Sequence, residues 1–222
     1  MAEKSEGCIG FLNCEPHSSG VSVLTRKGIS RYDFEITGIA SHAGYCYGGA
    51  NAIREAAYKI IELEKLKDQN GITCNCGLIS GGTATNTVAG KCSFSLDVRF
   101  ADEAQMQTAD AIIRQIAEKT FVEGTSCAWK LVSTRCAMER VERNVALLQK
   151  VNGALEQAGL PIVKESRSNG GSDAADMTSF GVPCIDSFGI EGGGIHSLAE
   201  WAWLASLKRT ASRLAAVVCF IE

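Results

Sequence analysis

The stretch CSFSLDVRF, residues 92–100, places Cys92, Phe94, Leu96, Val98 and Phe100 on one side and Ser93, Ser95, Asp97 and Arg99 on the other. A strict period of two makes this a strand with one face on a core and one in water. A slip of one residue would expose every apolar side chain at once, so the register is tightly specified. Strands with one wet face belong in antiparallel sheets. RYDFEITG repeats the pattern with Tyr32, Phe34 and Ile36. TCNCGLIS and CAWKLVST read as two more strands, the latter turning Cys127, Trp129 and Leu131 inward.

Two helices fall between these strands. In ANAIREAAYKIIELEKL, Ile53, Ala56, Ala57, Ile60 and Leu63 recur at helical spacing, with Arg54, Glu55, Lys59 and Glu62 opposite and Asn70-Gly71 as the stop. A second helix opens at Asp102, with Gln105 in capping-box spacing and a stripe of Met106, Ala109, Ile113 and Ile116. The order strand-helix-strand-strand-helix-strand predicts a ferredoxin-like four-stranded antiparallel sheet with two helices, over residues 30–137.

The flanks have another texture. RNVALLQKVNGALEQAG is a helix stopped by Gly159 and Pro161, and SLKRTASRLAAVVCFI is a helix that Ser206 would cap. CIGFLN, IVKES and PCIDSF are short strand candidates. They predict a partial α/β domain, residues 1–29 and 138–222, interrupted by the insert. With about three strands it reads as incomplete, because parallel sheets bury both faces.

Hydrophobic residues are 45% of the 222 and charged ones 21%, and the formal net charge is −3, which is globular composition without the basic excess of a nucleic-acid binder. The longest apolar runs are too short for a bilayer and no secretory h-region opens the chain, so a cytoplasmic protein without a membrane partner is expected. The ten cysteines contain no C-x-x-C pair and read as reduced thiols, most of them small buried hydrophobes.

Several residues have chemistry beside an ordinary reading. Glu15 ends the first strand candidate, where α/β domains hold ligands, or is simply solvated. His42 lies in SHAGYCYGG, a loop that can approach a ligand or carry a surface histidine. Asn86 is turn chemistry or half of an amide–guanidinium pair with Arg99 for a carboxylate. Arg99 is otherwise solvated beside Asp97. Asp173 starts a helix in NGGSDAADM. His196 follows three glycines in GIEGGGIHSLAEW and suits a zinc ligand. Glu200 fits a capping box with Ser197.

Read in order, Glu15-Pro16, RKG, GIASHAG, NAI, ISGGTATN, LDVRF, GGSDA, GVPCIDSFG and GGGIHSLAEW resemble peptidase family M20 over nearly the whole chain. That family holds glutamate carboxypeptidases, acetylornithine deacetylase, succinyl-diaminopimelate desuccinylase and aminoacylases. The resemblance implies a lid inserted into a catalytic α/β domain, a homodimer formed through the lid, and hydrolysis of an amide in a small carboxylate-bearing substrate at two zinc ions. It makes Glu15 and His196 metal ligands and His42 the catalytic lid histidine that steadies the oxyanion. Asn86 and Arg99 become substrate-binding, with Asp173 and Glu200 supporting the loops. The family's H-x-D, bridging Asp and Glu-Glu elements are assigned to no stretch of this sequence. The expectation is therefore a C-terminal portion, inactive until an N-terminal half is supplied. The alternative is a non-catalytic dimerisation or small-carboxylate-binding module.

Overall fold

The computed structural model describes residues 7–16, 20–67 and 71–221. In chain order, β1 (Phe11–Leu12) and β2 (Val21–Arg26) precede β3 (Gly28–Thr37), α1 (Ala52–Leu63), β4 (Thr73–Gly81), β5 (Lys91–Phe100), α2 (Glu103–Glu118) and β6 (Ser126–Arg135). Then follow α3 (Glu142–Gln157), β7 (Lys164–Ser168), α4 (Asp173–Ser179), β8 (Cys184–Ile185), β9 (Gly192–Gly193), β10 (Trp201–Ala202) and α5 (Leu204–Phe220). The chain forms two compact units, residues 28–135 and residues 1–27 with 136–222.

The first unit is a mixed α/β layer pair whose sheet runs β4-β5-β3-β6, every neighbour antiparallel. β3 and β5 pair over ten residues, from Gly28 opposite Phe100 to Thr37 opposite Lys91. Phe34 faces Phe94 in that ladder, and their rings stack at 4.4 Å. With Tyr32, Ile36, Leu96 and Val98 they form the floor on which Ala52, Ala56 and Leu63 of α1 and Ala109, Ile113 and Ala117 of α2 pack. Each fully buried side chain of this size stabilises the fold by about 1.5–3 kcal/mol.

The inward face of α1 departs from the expected stripe. Ile53 and Ala57 are exposed, whereas Glu55 and Lys59 are buried. The reason is the end of α2, whose last carbonyls lack helical partners. Lys59 Nζ donates to the carbonyls of Ile116 and Ala117, each at 2.9 Å, and to that of Lys119. Glu55 accepts the backbone N–H groups of Phe121 and Val122 at 2.9 and 2.7 Å. α1 ends at Leu63 in a 3-10 turn; Asn70, part of the expected stop, lies outside the described residues. Asp102 caps α2, but Gln105 Oε1 accepts from Ala101 N, one residue before the position a capping box would use.

Leu131 also differs from expectation and is 43% exposed. The pairing of β6 with β3 shifts register between Tyr32, opposite Leu131, and Arg31, opposite Ser133. The extra residue turns this end of the edge strand away from the helices.

In the second unit β1 pairs parallel with β8, and β2 pairs parallel with β7. An antiparallel bridge from Val23 to Asp186 joins the pairs, so the layer is mixed. β2, β9 and β10 were not evident in the sequence pattern. Leu24, Leu147, Val151, Leu155, Ile185, Phe188 and Val217 form the core, with α3 and α5 packed on the strands. α5 starts at Leu204, and Ser206 lies inside its first turn rather than capping it. Ser206 Oγ donates to the Trp203 carbonyl and accepts from Glu191 N. The outer stripe of α5 is apolar, with Leu204 at 80% and Val218 at 82% exposure and Leu207, Ala211 and Ala215 between them.

Of the ten cysteines only Cys74, Cys92 and Cys184 are buried, fewer than expected. Cys8, Cys14, Cys46 and Cys219 are exposed, because each stands on a loop or an outward helix position. Among the described residues no helix is long and apolar enough to cross a membrane.

Candidate active site

Two candidate groups belong to the sheet unit and meet at one end of it. His42 is exposed and precedes a 3-10 turn over Ala43–Gly48. Its Nδ1 accepts the Gly44 N–H at 3.1 Å. A neutral imidazole has one donor and one acceptor nitrogen, so this bond assigns the proton to Nε2. The loop is tied to the β4–β5 connection by Ala43 N to Asn86 O at 2.8 Å, Val88 N to Ser41 O at 2.8 Å and a bridge from His42 to Thr87. His42 and Asn86 are thereby neighbours, each with an exposed side chain.

Arg99 is elsewhere. It stands near the far end of β5, opposite Ile29 and Thr73. The run from Lys91 to Arg99 is about 27 Å at strand rise. Its Nε donates to Asp97 at 3.0 Å, and Asp97 also takes Arg31 at 3.2 Å. Within one chain, Asn86 and Arg99 do not share a pocket.

The α/β unit gathers the other residues. Glu15 is exposed just beyond β1, and its carbonyl accepts Gly189 N at 3.1 Å, which holds the strand end against the glycine-rich segment. Any side chain at Gly189 would collide with the Cys14 carbonyl at 2.1 Å, so the close approach needs glycine. β9 and β10 form a ribbon whose connecting loop carries His196. His196 is exposed with φ of 64°, a left-handed conformation that costs a non-glycine residue energy and is typical of functional loops. Pro16, Ile195, Glu200 and Trp201 border one hollow of about 220 Å³. The neighbours of Glu15 and of His196 thus face a common space. Glu200 starts no helix: its N–H goes to the Ser197 carbonyl at 3.2 Å, and Ser197 caps the loop through Ala199 N instead. Asp173 is the exposed first residue of α4, behind the capping Ser172.

The same unit holds a buried polar cluster that the sequence pattern did not announce. Asp186, fully buried, accepts from Arg26 Nε, from Asn13 at 3.0 Å and from Ser187 N at 2.6 Å. Arg26 also donates to Ser168, the Gly170 carbonyl and Ser187. RKG contains Arg26 and CIDSFG contains Asp186 and Ser187, but only tertiary structure pairs them. The cluster fixes the ends of β1, β2, β7 and β8 around a satisfied ion pair.

The family model for a peptidase dimerisation domain matches residues 24–125. Carboxypeptidase G2 from Pseudomonas is 28% identical over 89% of this chain and 49% of its own length. The chain resembles the M20 peptidases, and residues 24–125 match a peptidase dimerisation domain. Succinyl-diaminopimelate desuccinylase from Magnetococcus marinus is 23% identical over 82% of the chain and 48% of that protein. The chain thus spans about half the length of these two relatives. In fold it is similar to the aminopeptidase PepT of Bacillus cereus, with a TM-score of 0.77 and 20% identity over 95% of this chain and 56% of that one. A tripeptidase from Staphylococcus aureus gives 0.74 at 22% identity, over 93% and 55%.

Zinc, which the resemblance implies, requires converging donors. Among the described residues no three His, Cys, Asp or Glu side chains gather as a metal site. A zinc pair needs several ligands and a bridge. The residues described do not fit it by themselves.

Proposed function

We propose that this chain is the C-terminal portion of a zinc-dependent amidohydrolase or peptidase, acting on small peptides or N-acyl amino acids with a free carboxylate. The observation that carries the reading is the shared hollow: Pro16 beside Glu15, Ile195 beside His196, and Glu200 line one space although far apart in sequence. Glu15 and His196 are this chain's contribution to the metal site, and the remaining ligands and the general base come from an N-terminal half. The apolar outer stripe of α5 supports this, since an unpaired stripe of leucine and valine favours burial. His42 with its Nε2–H, beside Asn86, offers donors to a developing oxyanion. Arg99 then serves a carboxylate from its own end of the sheet. Asp173 and Glu200 hold the loops.

The lid also supports a homodimer. β4 is an edge strand that exposes Leu78 and Ile79, and α1 exposes Ile53 and Ile61. The family match to a dimerisation domain favours a second reading too, in which the sheet unit pairs chains or binds a small carboxylate without catalysis. Neither reading includes a nucleic-acid or membrane partner, and both carry the expectation of a cytoplasmic protein.

The test is to mix the purified chain with a separately expressed N-terminal half carrying H-x-D and Glu-Glu, in zinc, and to assay N-acyl amino acids and dipeptides. Association with turnover supports the first reading. A stable dimer that neither associates nor turns over supports the second.

A further inference from the structure

β4 is an edge strand, with β5 on one side only, and it carries no charge of its own. The whole stretch from Gly71 to Gly90 is uncharged. Open edges of this kind pair with other chains unless a charge or a bulge interrupts them. Here the charge comes from outside the strand. Glu64 opens the 3-10 turn that follows α1, and its Oε1 accepts the Cys76 N–H at 3.1 Å. A ladder N–H lies in the plane of its sheet, and β5 fills one side. The carboxylate therefore stands where a further strand would lie. Its Oε2 takes Lys67 Nζ at 2.8 Å, which brings a second charge to the same place. Just beyond, the pairing with β5 shifts register between Cys76 and Leu78, with Gly77 as the extra residue. The two halves of β4 differ accordingly. Thr73 and Asn75 are exposed and Cys74 is buried, the alternation of a covered strand. From Leu78 to Gly81 every residue is exposed, although Ile79 stands opposite the buried Phe94.

We propose that Glu64 closes Thr73–Cys76 against strand addition and so confines pairing between copies of this chain to Leu78–Gly81. This rests on the homodimer reading above. A second copy is the occupant the edge fits. The segment lies within the residues that match a dimerisation domain, and it holds no charge to repel its like. Turned about a two-fold axis it meets itself antiparallel, the self-complementary contact of a closed dimer. Leu78 and Ile79, exposed on opposite faces, gain burial from a sheet continued across that axis. The stop at Cys76 also removes the slipped ladders that an uncharged strand of nine residues would otherwise permit. Glu64 thereby sets the register as well as the length of the contact.

Amide hydrogen exchange read by NMR on the full chain, over a concentration series followed in parallel by sedimentation, tests this in the parent, Glu64→Gln and Glu64→Ala. The Cys76 amide should be protected at every concentration in the parent and in Glu64→Gln, whose amide oxygen still accepts. In dilute Glu64→Ala it should exchange roughly fivefold faster, the loss of one exposed hydrogen bond. Amides within Leu78–Gly81 should gain protection in the parent only as the dimer forms. In Glu64→Ala that concentration-dependent protection should spread back to Thr73–Cys76. Equal Cys76 exchange in dilute parent and dilute Glu64→Ala overturns the proposal, because the carboxylate then guards nothing. Protection that stays within Leu78–Gly81 in Glu64→Ala overturns it too, since the confinement then has another cause. A parent that dimerises without any concentration-dependent protection in β4 overturns the proposal and leaves the homodimer standing. A parent that stays monomeric throughout overturns both.

Discussion

Lys59 Nζ lies 3.0 Å from the Glu55 carboxylate, one turn apart on α1, with each side chain 1% exposed. The two charges are also hydrogen-bonded to five backbone groups at the end of α2 and beyond it, from Ile116 to Val122. Removing one partner would strand the other charge in the core. Lys59→Met should therefore cost about 3–5 kcal/mol in urea unfolding. The double variant with Glu55→Leu should cost less than the sum of the single losses, because no lone charge remains. It should still be destabilised, since the N–H groups of Phe121 and Val122 lose their acceptor. Additive losses would show that the pair is not coupled.

Homodimer formation is expected to use β4 and the outer side of α1. Leu78 is 71% and Ile61 57% exposed. Replacing both by lysine puts charge on an open strand edge and its neighbouring helix, a usual way of blocking edge pairing. Sedimentation should show a dimer for the parent and a monomer for the variant, with unchanged circular dichroism. A variant that remains dimeric would move the interface elsewhere.

The cysteines should separate by reactivity. Burial pushes the thiols of Cys74 and Cys184 up to about 12, so neither supplies thiolate near neutral pH. Cys8, Cys46 and Cys219 are exposed. Mass spectrometry after brief alkylation at mild alkaline pH should find these three modified, and Cys74 and Cys184 modified only after unfolding. Early labelling of Cys184 would mean that the α/β unit opens locally.

Tyr32 carries a pH dependence of defined sign. Burial, with the nearby Asp110 carboxylate that accepts its hydroxyl proton at 3.0 Å, raises it from 10 to about 12. A group raised on folding stabilises fully below its unfolded value and loses that contribution as pH climbs through the folded one. Stability should thus decline between about pH 10 and 12, and Tyr32→Phe should flatten that part of the profile. An identical decline in the variant would assign the loss to other groups.

The sheet unit was largely legible because its information is local. The alternation in CSFSLDVRF names the buried face of β5, and the neighbouring strands follow the same rule. Lys59 and Glu55 were not, since their burial depends on carbonyls and N–H groups some sixty positions away. Ser206 misled for a related reason: a good capping residue took a tertiary partner in Glu191 instead. The adjacency of His42 and Asn86 arises from two loops zipped by backbone bonds, which side-chain identity does not encode. Arg99 and Asn86 suggest a pair by their amide and guanidinium chemistry, yet within one chain a strand carries them apart. The three glycines before His196 marked an unusual loop, and His196 has a positive φ there, while Arg26 and Asp186 gave no signal until the strands met.

The bond from Gly44 N–H to the His42 ring has one last consequence. An imidazole anchored through one nitrogen has a single open side. Whatever approaches from solvent meets a hydrogen already in position, and no rearrangement of the ring precedes the encounter. The donor side of the ring is thus set by the backbone of its own turn.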